Sequence, residues 1–113
     1  ATLTQHHVVL REAHMRSLAV MKYETMRLAR VLGVLEDGLK DGRDYLLASG
    51  FSAVDTNIGY SAIGAARYVR LDAFPLVLAY TDRLKARQAF QKTLTPEGSE
   101  KLYHQDFYAL PDV

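Results

Sequence analysis

The chain has no cysteine and no tryptophan, and only three prolines in 113 residues. Without cysteine there can be no disulfide framework, no thiolate metal site and no cysteine nucleophile. That absence fits a reducing compartment, and a cytoplasmic location is expected. No apolar run reaches the roughly eighteen residues that suggest a membrane span. No secretory or transit pattern opens the sequence, so no membrane partner is expected. Charge of one sign is also missing: 14 Lys and Arg face 13 Asp and Glu, for a formal net charge of +1. Nucleic acid, which selects a clustered basic footprint, is therefore not an expected partner. About half of the residues are apolar. A chain of this length buries about 65% of its unfolded surface, enough for one domain with a genuine core.

The apolar residues recur at helical spacing, and the fold class expected is all-α. Residues 3–20 favour a helix with an irregular apolar face made by Leu3, Val8 or Leu10, Ala13 and Leu18. Residues 23–40 carry a cleaner stripe of Leu28, Val31, Leu32, Leu35 and Leu39. Gly38 and Gly42 break it, and the stretch from Asp37 to Asp44 reads as a polar turn. Tyr45 to Gly50 is apolar but short, and suits a packed extended segment.

Residues 53–69 are expected to form a central buried helix. Val54, Ile58, Ala62, Ala65 and Val69 make one stripe, Gly59, Ile63 and Ala66 its neighbour, and no charge falls between Thr56 and Ala66. Ser52 and Asp55 open it as a capping box, each side chain satisfying a backbone N–H of the other's turn. Pro75 then sits at the first turn of a further helix, where its missing N–H costs nothing. A short amphipathic turn with Phe90 and Leu94 follows, and after Thr95-Pro-Glu-Gly comes an aromatic tail, Tyr103, His104, Phe107 and Tyr108. The tail reads either as ordinary packing against the helices or as a flap over an apolar groove.

His7 and His14 lie about 10 Å apart along a helix axis, His6 points elsewhere, and the i, i+4 pair of a helical metal site is missing, so no metal is expected. Ser52 and Asp55 are explained by capping without a catalytic role. Asp37, Asp41 and Asp44 alternate with Lys40 and Arg43 as solvated loops do. The glycines match no phosphate-binding pattern. Arg83 and Arg87 are expected to pair with Asp82 or to cap helix ends. No catalytic residue is expected in this chain.

From about Tyr45 to Glu97, roughly half of the chain, the sequence resembles the C-terminal helical domain of the cytosolic glutathione transferases. The residues that carry the resemblance are the Ser52-x-x-Asp55 box, Leu71-Asp72-Ala73-Phe74-Pro75, Ala79-Tyr80-x-x-Arg83-Leu84-x-Ala86-Arg87, and Ala89 to Leu94. Thr56 stands where the family usually has an aliphatic residue, and Gln88 where it usually has proline. The resemblance implies that residues 1–113 are such a domain, cut from a longer protein whose thioredoxin-like domain in cis binds glutathione as co-substrate. No cofactor would be bound by the helical domain alone, which should be inactive. It would supply a wall for a small apolar electrophile and contacts for a homodimer. The regions the family uses for that wall hold His7, Leu10, His14, Phe107 and Tyr108 here. The alternative is a non-catalytic interaction module, since translation and stress-response proteins reuse the same helical fold. An unrelated small helical bundle is the third possibility.

Overall fold

A computed structural model describes residues 2–10, 12–94, 103 and 105–111. Among these residues the structure is helical and holds no strand, only an isolated bridge between Leu47 and Gly50. The elements are a single turn α1 (Thr2–Thr4), the long α2 (Leu18–Gly38), α3 (Ala53–Ala65), α4 (Pro75–Lys85) and the short α5 (Gln88–Gln91). The Thr95-Pro-Glu-Gly turn and His104 lie outside the described residues.

The N-terminal expectation is corrected. Residues 3–20 do not form one helix: α1 runs into a wide helical turn over Gln5–Val9, and the backbone becomes extended at Leu10. A tight turn at Ala13–Met15 follows, flanked by extended Glu12 and Arg16. Ser17 then starts α2 by accepting the N–H of Val20 on its hydroxyl at 3.2 Å. The second helix thus begins at Leu18 instead of 23. The physical reason is a conflict between a cap and a continuous helix. Ser17 satisfies an N–H only if the chain before it leaves helical geometry.

Residues 42–52 form an irregular bridge, with Gly42 and Gly50 at φ of 85° and 112° where a β-carbon would be strained. The bridge is tied down. Arg43 donates to the Leu46 carbonyl at 2.8 Å, and Arg83 donates to the Asp44 carbonyl at 2.7 Å. Arg83 thus reaches the bridge instead of Asp82, a second correction.

The capping box of α3 is complete in both directions. Ser52 accepts the Val54 N–H on its hydroxyl at 3.3 Å, and the Ser52 N–H donates to Asp55 at 2.9 Å. The helix ends at Ala65, four residues before the expected limit, with turn bonds carrying the chain on to Val69. Nor is it buried all round. Asp55, Gly59, Ala62 and Ala65 form the one buried stripe, while Ile58 is 46% and Tyr60 74% exposed. That stripe faces α4, where Val77, Tyr80 and Leu84 complete a core with Leu32, Leu39 and Leu71. Gly59 is the point of closest approach: a methyl there would overlap Leu84 Cδ1 and meet the Tyr80 hydroxyl at 3.1 Å.

Pro75 occupies the first position of α4. Its next two N–H groups, of Leu76 and Val77, donate at 3.0 and 2.8 Å to the two carboxylate oxygens of Glu36 on α2. An acidic side chain from another helix therefore does what a local cap does elsewhere, and favours the dipole as well.

Candidate functional site

A second, smaller core of Leu3, Met21 and Tyr68 joins the N-terminal turn to α2 and to the end of α3. Around it the described tail folds back. The Tyr108 N–H donates to the Arg67 carbonyl at 2.6 Å, and the Arg67 guanidinium lies 4.1 Å from the Tyr103 ring centre. His7 stacks on Tyr68 with ring centres 5.3 Å apart, and Tyr108 lies 5.8 Å from His7. The Thr4 hydroxyl is 2.7 Å from the Tyr68 hydroxyl and 3.0 Å from that of Tyr103.

Burial is the largest influence on the titration of His7 and of Tyr68. Burial, reinforced by the charges of Arg16 and His6, lowers the His7 pKa from its ordinary 6.5. Its Nε2 is buried without a hydrogen-bond partner among the described residues. Burial pushes the Tyr68 hydroxyl up, against an opposing hydrogen bond with Thr4, so it stays protonated at neutral pH. Tyr68 and Thr4 are thus hydroxyl donors and acceptors, not charged nucleophiles.

Beside the cluster a groove of about 350 Å³ opens between α1, α2 and α3. Leu3, Leu28, Val31 and Ala65 give it apolar walls, and Thr4, Tyr68, Tyr103 and the Glu24–Arg27 ion pair also line it. Such a mixture of apolar walls and a few polar groups suits a small organic ligand.

The five residues expected to form a binding wall are not brought together. His7 and Tyr108 meet at Tyr68. Phe107 lies under Arg70, whose guanidinium is 4.0 Å from its ring centre. The Leu10 carbonyl accepts from the Arg16 side chain. His14 is largely exposed and sits 3.4 Å from Glu12. None of the five lines the groove. In the described tail Tyr108 and Leu110 pack on the second core, while Phe107 lines a separate concavity of about 650 Å³ with Arg70, Leu71 and Leu94. Among the described residues no group of three His, Asp or Glu side chains is arranged to hold a metal ion.

Sequence reasoning missed Thr4 and Tyr68. Tyr68 lies one turn beyond α3, in register with the stripe of Gly59, Ala62 and Ala65, and that spacing was the available signal. Thr4 gives none, because its partners are 64 and 99 residues away.

Comparison with protein families, with curated proteins and with solved structures finds no match to this chain.

Proposed function

We propose that the chain is the C-terminal helical domain of a glutathione transferase-like protein. On this reading a thioredoxin-like domain in cis binds glutathione, and this domain offers a small apolar electrophile its groove. The parent would be a cytoplasmic homodimer. One observation carries the reading: the residues of the resemblance act as a connected unit. Ser52 and Asp55 cap α3, Asp55 accepts the Tyr80 hydroxyl at 2.7 Å, and Pro75 starts the helix that carries Tyr80. Apolar side chains left open on α2 and α3, among them Val31, Val34 and Ile58, offer a surface for a domain or a partner copy.

The groove would receive the electrophile beside Tyr68, with His7 and Tyr108 behind it as support. Lowering a thiol pKa needs a positioned donor or positive field. That element is assigned to the other domain.

The test is retention of the full-length parent on glutathione-agarose, followed by an assay of conjugation to a chlorodinitrobenzene. Retention with turnover is expected. Failure of the parent to bind glutathione overturns the reading, whereas retention without turnover with any electrophile replaces the enzyme by an interaction module.

A further inference from the structure

A second concavity lies between α3, α4 and α5, with Asp55 in its lining, and it is smaller and more apolar than the first. Its volume is about 250 Å³, and Phe51, Ile63, Leu84 and Phe90 supply its walls. That is below the range of pockets that take drug-sized molecules, and too small for a peptide helix. A flat ring buries the most area against such walls.

Two charged residues line it, Asp55 and Arg87. Asp55 is 1% exposed, and its oxygens already accept from Leu46, Ser52 and Tyr80. Arg87 is in the contrary state. Its guanidinium lies 3.6 Å from the centre of the Phe51 ring, and one nitrogen donates to the Tyr45 hydroxyl at 3.4 Å. Among the described residues it has no carboxylate within ion-pair distance. Stacking holds a guanidinium by its face and leaves its in-plane N–H groups for an acceptor. A fork so fixed matches a carboxylate in two-point geometry, and loses little freedom in binding it. A dianion would be under-compensated by one cation with a buried carboxylate nearby.

We infer that the α3–α4–α5 trough is a binding site for a small aromatic carboxylate, its ring against Phe51, Ile63 and Phe90 and its carboxylate on Arg87. The site goes beyond the proposed transferase reading and does not depend on it.

The experiment titrates 1-naphthoate into the isotopically labelled full chain and follows the amide shifts of Phe51, Ile63 and Phe90. Saturable shifts at those residues are expected. Arg87→Gln weakens binding by about tenfold or more, the scale of a charge-assisted hydrogen-bond pair, and Arg87→Lys recovers part of it. The neutral 1-naphthamide binds wild type and Arg87→Gln alike. If Arg87→Gln does not fold, Ala89→Trp, an exposed position on the trough's lining, serves instead by filling the space and abolishing the shifts. Equal affinity for acid and amide, unchanged binding in either folded variant, or shifts confined elsewhere would overturn the assignment.

Discussion

The Tyr80 hydroxyl donates to Asp55 at 2.7 Å across the α3–α4 interface, with Tyr80 wholly buried and Asp55 all but so. Burial pushes the Asp55 carboxyl up, but the Leu46 N–H, the Tyr80 hydroxyl and the Ser52 N–H together hold it below its ordinary 3.8. Burial and the adjoining carboxylate push the Tyr80 phenol well above its ordinary value. The pair is therefore a carboxylate and a phenol at every physiological pH, with the proton on the tyrosine.

Removing either partner tests this hub. Asp55→Ala leaves three donors without an acceptor and is expected to cost about 2–4 kcal/mol, whereas Tyr80→Phe costs about 1–2 kcal/mol. In denaturant titrations the double variant should be less destabilised than the sum, by about 0.5 kcal/mol or more. Strict additivity would mean that the two side chains act independently.

Two glycines should respond in opposite directions. Gly59→Ala drives a methyl into Leu84 and is expected to destabilise by about 1–3 kcal/mol. Gly33→Ala, inside α2, places its methyl 3.9 Å from the Phe74 ring, an ordinary contact. It should stabilise by about 0.5–1 kcal/mol through the helix alone. Melting temperatures that move together would refute the close approach at Gly59.

Glu36→Gln keeps the shape of the side chain but removes its charge and one of its two acceptor oxygens, and Glu36→Ala removes both acceptors. Losses of about 1–2 kcal/mol are expected for each. The lesion should be local, with faster amide exchange at Leu76 and Val77 than at mid-helix positions. Unchanged exchange in Glu36→Ala would count against the cross-helix cap.

His7 predicts a pH dependence. Its folded pKa lies below the unfolded 6.5, so the unfolded chain binds the proton more readily. The contribution is complete above pH 6.5 and is lost as pH falls through the folded value. His7→Phe retains a ring for Tyr68 to stack on and cannot be protonated. Between about pH 7.5 and 5.5 its melting temperature should fall less than that of wild type. An equal fall in both would assign the titration to other groups.

The structure was legible where signals are local. Ser52 with Asp55, and Pro75 at a first turn, mark helix starts within four residues, and both are where spacing puts them. Legibility failed where a distant partner decides. Ser17 caps α2 without the acidic partner three residues on that marks Ser52, and the irregular apolar face of Leu3, Val8, Ala13 and Leu18 reads as continuous across it. Leu3 and His7, before the break, pack against Tyr68, a partner more than sixty residues away. The Glu36 carboxylate serves N–H groups 40 and 41 residues away, a relation without a sequence mark. The uncharged stretch from Thr56 to Ala66 overstated burial, because apolar composition does not say which faces find a neighbour.

The Leu46 amide shows how far such relations reach. It sits in the irregular bridge, yet its N–H donates at 3.1 Å to the same Asp55 oxygen that holds Tyr80. It should therefore exchange its hydrogen with solvent no faster than the α3–α4 pair opens, and slow exchange would appear in a stretch without regular structure. The bridge and the helix pair would then unfold as one cooperative unit, so a protease that nicks surface loops should find this one closed until the core gives way.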